Sequence, residues 1–470
     1  MPHDFDSLFA LPVKGDAFLY RAKGKVLLVD GGEEPDRLAA SLNILTPEVT
    51  HIDVVVCTHA DEDHAKGLCN LLRKNEPRNV TEWGGTVGEF WLPGRWTDVV
   101  PEVLKDPKGF VDLLVAELDR IAAHGGGHPD WSDDGSPADE ADDRLDDPVS
   151  AWFAHVSGAR EGHKDGGAAD NRAEGLPEEE DNRQREATSD GSDRELSWDP
   201  PIHPKWWNKL RDEVGDILSR DKVAGRAFKS ARERVVSRVK KGKISASLGR
   251  LWVGFIDTLE IIRNIAKQAL EFDVPVRWFD FDEYEKSRKP RGGIHGLLQP
   301  INAVELDCPP APVGLRSYML HLSKKNRQSL VFYAPGNALT CGVLFCADSP
   351  LAVGRGHRNS FFATLGWKPL ERIIATAPHH GSHSNDGAYS RVNAWATVAL
   401  WVRSGGKSRH PEPDAVFRSL SSNIRACTNC PHQPHPLRGE CILLNFPQMR
   451  MAIHPGSLVF HYRSGDTCSC

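Results

Sequence analysis

No stretch of this chain approaches the roughly 20 consecutive apolar residues that a membrane-spanning helix requires. The opening MPHDFDSLFALPVKGDAFLY lacks the basic start and unbroken apolar stretch of a secretory leader. A cytoplasmic protein with no membrane partner is the expectation. No repeat of fixed period runs through the sequence, which argues against a solenoid or propeller. Charge of one sign is not in large excess: the formal net charge of -7 over 470 residues is too acidic for a protein that coats nucleic acid through its overall charge. A local basic patch stays open. Cysteine is not in excess either: ten in 470 residues is ordinary usage, and Cys57, Cys69, Cys308, Cys341 and Cys346 lie in or beside apolar runs where thiols pack as small hydrophobes. That usage fits a reducing compartment better than a disulfide framework.

The order of what is present implies an interrupted α/β domain. Short β-rich runs, AFLYRAKG and KVLLVDGG, precede a helix around Glu34 to Leu42 and the strand HIDVVVCTH. After Lys66-Gly67 a helix through Leu72 is expected, then the strand EFWLPGRW. From about residue 129 to 200 the chain turns rich in Asp, Glu, Gly and Ser with little to bury, the composition of a flexible or disordered segment. Helical periodicity follows over 203–267, and one helix there carries ten lysines and arginines between Arg220 and Lys243 against only Asp221 and Glu233. β-type runs return from Val274 onward. The domains are therefore read as a catalytic half over 1–97, an insertion over 98–267, a second half over 268–425 and a Cys-rich tail over 426–470.

The chemistry concentrates in THADEDHAKG, where His59, Asp61, Asp63 and His64 follow the apolar strand VVVCT. Four such groups at the end of a buried strand are costly unless their charge is compensated. A pair of divalent metal ions compensates it, because carboxylates and neutral imidazoles are metal ligands and the pair activates a water. The alternative is an acidic turn before a helix, with Asp61 or Asp63 as its N-cap.

These residues resemble the metallo-β-lactamase superfamily, whose His-x-His-x-Asp-His signature here reads His59-Ala60-Asp61-Glu62-Asp63-His64, with Asp61 in place of the second histidine. That variant is similar to the hydrolase domain of the ComEC family of DNA-uptake proteins. Further matches follow in order: Gly15-Asp16 and Asp30-Gly31-Gly32 in the opening hairpin, CADSP with Asp348, His379-His380-Gly381-Ser382, and SGGKSRHPEP ending in His410-Pro411. The resemblance covers roughly 11–96 and 270–420 and implies an αββα sandwich with two metal ions, Zn or Mn. It assigns His59, Asp61, Asp63, His64, Asp348 and His380 as metal ligands, with Asp348 bridging. Asp63, His379 and His410 are the expected catalytic groups, and Ser382 and His410 are expected to meet substrate. The chain departs from the pattern at the third motif, where GLLQPINAVEL offers Gln299, with His295 nearby, instead of a ligating histidine. CADSP also carries alanine where glycine is common.

The function so implied is a phosphodiesterase or nuclease cleaving DNA, read also as a regulated bacterial defence effector whose acidic insertion meets a regulatory protein or protease. Hydrolysis of a small phosphodiester or lactone-like ester is a second reading, and a degenerate binding module a third. Nucleic acid is the expected partner of the basic helix; the competing reading docks that helix on the acidic segment. In the tail, Cys427, Cys430, Cys441 and Cys468 form a candidate structural zinc site, weighed against unlinked thiols or a redox-sensitive pair.

Overall fold

The computed structural model describes residues 6–45, 49–72, 82–124, 203–307, 328–337, 340–354, 357–404, 415–428, 441–445 and 459–461. The first strands are β1 (Ser7–Ala10), β2 (Phe18–Ala22), β3 (Lys25–Val29), β4 (His51–Val56), β5 (Thr86–Pro93) and β6 (Val276–Asp280). They continue with β7 (Gln299–Pro300), β8 (Val304–Glu305), β9 (Phe332–Ala334), β10 (Gly342–Phe345), β11 (Ala352–Val353), β12 (Asn359–Ser360), β13 (Ile373–Thr376) and β14 (Val398–Arg403). The last three are β15 (Arg425–Cys427), β16 (Cys441–Asn445) and β17 (Val459–His461). One sheet has nine strands in the order β17-β16-β1-β2-β3-β4-β5-β6-β8, and a second has six in the order β15-β14-β13-β10-β9-β7.

Both sheets are covered on both faces, and the sequence shows why. In β3 and β4 the apolar run is continuous: Leu27, Val29, Val54 and Val56 point between the sheets, while Leu28 and Val55 point to the outer helices. β10 and β13 do the same, with Val343, Phe345 and Ile374 inward and Leu344, Ile373 and Ala375 outward. A strand that alternates between two apolar layers must be apolar at every position, which explains VVV and VLF. The result is helix, sheet, sheet, helix, the mixed α/β sandwich expected.

The helical run after residue 203 belongs to this packing. Helix α1 (Pro35–Ile44), the short α2 (Glu62–Ala65), α3 (Val100–Lys105) and α4 (Pro107–His124) are followed by α5 (Lys205–Asp212), α6 (Val214–Ser219), α7 (Asp221–Lys240) and α8 (Ala246–Glu271). Phe255, Leu259, Ile262 and Ile265 of α8 share one cluster with Leu28, Ile52 and Val55. β5 pairs directly with β6, Phe90 opposite Val276, so the chain leaves and returns to the same sheet. The expected segment 129–200 lies outside the described residues. Among the described residues no helix is long and apolar enough to cross a membrane.

One buried cation ties α7 to α8. Arg263 is 1% exposed and donates from Nη1 to Asp221 Oδ1 at 2.8 Å, while Lys267 Nζ lies 3.1 Å from Asp221 Oδ2. Burial alone would raise the Asp221 carboxyl, but the bonds from Arg263 and Lys267 outweigh it and lower it below the ordinary value. A depressed acid contributes stability that is present above its unfolded value, near about 3.9, and is lost as pH falls through the lower folded value. Asp221→Asn is therefore expected to cost about 1–2 kcal/mol at pH 7, discounted because Asp221 is partly exposed. In urea melts against the parent, that difference is expected to shrink towards zero below about pH 3.

Candidate metal centre

β3 and β4 run parallel and end side by side, so the residues that follow them meet at one edge of the sandwich. Asp30, just after β3, accepts from the Thr58 backbone N–H at 2.8 Å and from the Thr58 hydroxyl at 2.7 Å. The Thr58 proton being committed to Asp30, the 3.0 Å contact between Thr58 Oγ1 and His59 Nδ1 requires the imidazole to donate. That leaves His59 Nε2 as a lone pair, buried and without a hydrogen-bond partner among the described residues.

The same logic fixes two more imidazoles. His64 Nδ1 donates to Asp30 Oδ2 at 2.8 Å, and His380 Nδ1 donates to Asp16 Oδ1 at 3.1 Å. Their Nε2 atoms face each other at 3.2 Å. His64 Nε2 is 2.9 Å from Asp348 Oδ1, and His380 Nε2 is 3.2 Å from Asp63 Oδ2. His59 Nε2 stands 3.6 Å from Asp348 Oδ2 and 3.8 Å from Asp61 Oδ2. Two groups result, Asp16, His64, Asp348 and His380 in one and His59, Asp61 and Asp348 in the other, each with ligand atoms within 4.8 Å of one another. Asp348 is common to both.

The donor chemistry of both groups fits divalent metal. Ligands about 2.0–2.1 Å from a tetrahedral ion stand roughly 3.3 Å from one another, close to the spacings here. Converging imidazole lone pairs at 3.2 Å repel unless a cation sits between them. Asp16 Oδ2 is likewise buried with no hydrogen-bond partner among the described residues. The cluster also draws positive charge by its own field. Burial opposes charge on His64 and His380, yet Asp348 and Asp30 raise the first well above its usual value, and Asp16 and Asp348 push the second to about 10. Asp348 is held well below the usual carboxylate range, burial being outweighed by His64, His379 and His380. Protons answer that demand in the protein alone; divalent metal answers it without them.

The sequence reasoning placed Asp16 and Asp30 only in the opening hairpin, and both are central. Asp16 enters the first group, and Asp30 orients His64 directly and His59 through Thr58. Asp30→Asn is expected to weaken metal binding about 10–100-fold, read by competition with a chelating dye, with the circular dichroism spectrum retained.

The structure brings His59, Asp61, Asp63, His64, Asp348, His379 and His380 to one place. His379 Nε2 is 3.6 Å from Asp348 Oδ2, and its Nδ1 meets Ser384 Oγ at 3.1 Å. His379 and His380 both adopt left-handed backbone, φ 47° and 52°, which turns two adjacent imidazoles toward one carboxylate. Ala347 shares that conformation at φ 48°, a cost of about 1 kcal/mol that explains why glycine suits the position before the aspartate. Ser382 is buried, and its hydroxyl accepts from the Ser384 N–H at 3.4 Å. Gln299 meets His295 at an exposed position, 3.2 Å apart, and neither belongs to the two groups. His410, Cys430 and Cys468 lie outside the described residues, as does the Cys441 side chain. Cys427 is buried and accepts from Arg403 Nη1 at 3.0 Å; Arg403 Nε also donates to the His380 carbonyl at 2.7 Å.

Where a helix is expected after Lys66-Gly67 through Leu72, the chain instead forms a 3-10 turn, Lys66–Asn70. Gly67 is the reason: its N–H donates to the Gly32 carbonyl at 2.7 Å, and a Cβ there would stand 1.9 Å from Gly31 O. The backbone crossing that seats the histidine loop against the β3 turn leaves no room for a regular helix with side chains.

Residues 10–146 match the family model described as the metallo-beta-lactamase superfamily. No curated protein and no solved structure matches the chain.

Proposed function

We propose that this chain is a metal-dependent phosphodiesterase of the metallo-β-lactamase type, in the branch similar to the ComEC hydrolase domain. The observation that supports it best is the sharing of Asp348 by two buried groups whose imidazoles are all oriented through Nδ1. His59 and Asp61 would hold one ion and Asp16, Asp63, His64 and His380 the other. Divalent metal bound there supplies Lewis acidity toward a phosphoryl oxygen and acidifies a water. The chain's own residues do the rest. Asp30, Thr58 and Asp16 fix the imidazole tautomers. The buried sheets exclude bulk solvent from the carboxylates, and His379 Nε2, facing Asp348, is placed to carry a proton to the leaving oxygen.

The test is hydrolysis of bis-p-nitrophenyl phosphate, single- and double-stranded DNA, RNA and a lactone by chelator-treated protein reloaded with Mn²⁺ or Zn²⁺. Cleavage of the phosphodiesters and not the lactone is expected. Lactone hydrolysis alone would favour the ester reading, and no hydrolysis by metal-loaded protein would favour a binding module.

A further inference from the structure

Helix α7 and the turn beyond it sort their basic residues by direction, and the sorting has a use. Ala224, Ala227, Phe228, Ala231 and Val235 are buried. On the flanks the guanidinium groups are spent inside the protein: Arg232 pairs with Asp257 and Glu260 of α8, Arg234 Nη2 lies 2.7 Å from Asp112, and Arg238 Nη2 lies 2.6 Å from Asp119, both on α4. Opposite the buried face, Lys222, Arg226, Lys229 and Lys240 recur at a spacing that puts them on one stripe, with Lys241 and Lys243 in the turn beyond. All six are exposed. Glu233 is the acid on that stripe. From Lys222 to Lys240 the stripe runs about 27 Å.

We infer that this stripe is a nucleic-acid docking surface that follows a phosphate backbone. Six cations against one acid, on a chain whose net charge is -7, concentrate positive potential on one face, where Glu233 is the acid on the stripe among the described residues. The ion pairs on both flanks hold the helix rigid and leave the outward charges unspent. Lysines dominate, which suits point contacts to phosphates more than base readout. A bilayer surface fits less well, because a helix that lies on a membrane inserts a continuous apolar face, and here Ala224, Ala227, Phe228, Ala231 and Val235 are buried in the protein, leaving only Val223 and Val236 as exposed apolar residues of the helix. Gly225 and Ser230 beside the stripe let a backbone approach closely.

The inference rests on the phosphodiesterase reading for its biological use, and the test keeps the two apart. Metal-free full-length protein is titrated against fluorescein-labelled duplex DNA, single-stranded DNA and RNA by anisotropy over a range of salt. In the variant carrying Lys222→Glu, Arg226→Glu and Lys229→Glu, affinity is expected to fall more than about 10-fold, with a salt slope about 3 units shallower. Hydrolysis of bis-p-nitrophenyl phosphate is expected to stay at the parent rate. A charge-matched variant at the exposed Lys289, Arg358 and Lys368 controls for net charge. An equal loss in that control, no loss in the stripe variant, or parent protein that binds phosphatidylserine vesicles and no nucleic acid each overturns the inference. Binding of nucleic acid without cleavage would leave the surface standing and remove the nuclease reading.

Discussion

Asp348→Asn is expected to abolish hydrolysis, with kcat lower by about 10³–10⁵ and no compensating fall in KM. The reason is placement. Its two oxygens face different groups, Oδ1 toward His64 and Oδ2 toward His59 and His379, so an amide, with one donor nitrogen, can serve at most one of them. The same change withdraws the carboxylate that helps lift His64 and His380, so the metal-free variant should bind fewer protons at the site near neutral pH. Kinetics of the variant and the parent, with far-UV circular dichroism to show that the fold persists, check this. Activity within about 10-fold of the parent would place the chemistry elsewhere.

The second large effect is expected at Gly15. This residue has φ +91°, and a Cβ on it would stand 1.8 Å from the Asp63 carbonyl oxygen and 2.6 Å from Asp63 Cβ. The contact is close because Asp16 donates its backbone N–H to that same carbonyl at 2.9 Å. Gly15→Ala must therefore separate the loop of Asp16 from the loop of Asp63, and His380 loses its anchor with them. A destabilisation of about 3 kcal/mol and a metal affinity lower by about 100-fold are expected. Gly24→Ala is the control: φ is +70° there too, but nothing lies within 4 Å of the added methyl. Its cost should be near 1 kcal/mol with metal affinity unchanged. Similar metal affinity in both variants would contradict a role for the Gly15–Asp63 contact in holding the site.

Much of the fold and part of the site could be read from residues alone, for identifiable reasons. VVVCTHADEDH shows a buried strand ending in ligands because the apolar run and the polar cluster adjoin in sequence. Asp348 and His379-His380 were legible because each follows a strand-like run. Asp16 and Asp30 were not, since an aspartate beside glycine in a turn reads as a turn former, and only the return of distant strands brings these two under the imidazoles. The 3-10 turn at Lys66 was hidden for a related cause: Gly31, against which Gly67 packs, is remote in the chain. The basic helix shows a third limit. The ten cations between Arg220 and Lys243 look alike in sequence, and only the neighbours α4 and α8 divide Arg232, Arg234 and Arg238, which are paired within the protein, from the outward stripe.

The centre itself is tested most directly by metal content. Protein freed of metal, reloaded with Zn²⁺ or Mn²⁺ and passed through a desalting column should carry about two ions per chain by plasma mass spectrometry. The Asp348→Asn variant, treated identically, should carry about one or fewer. Parent protein with less than about half an equivalent of either ion, or a variant that matches the parent, would contradict a shared carboxylate between two metal ions.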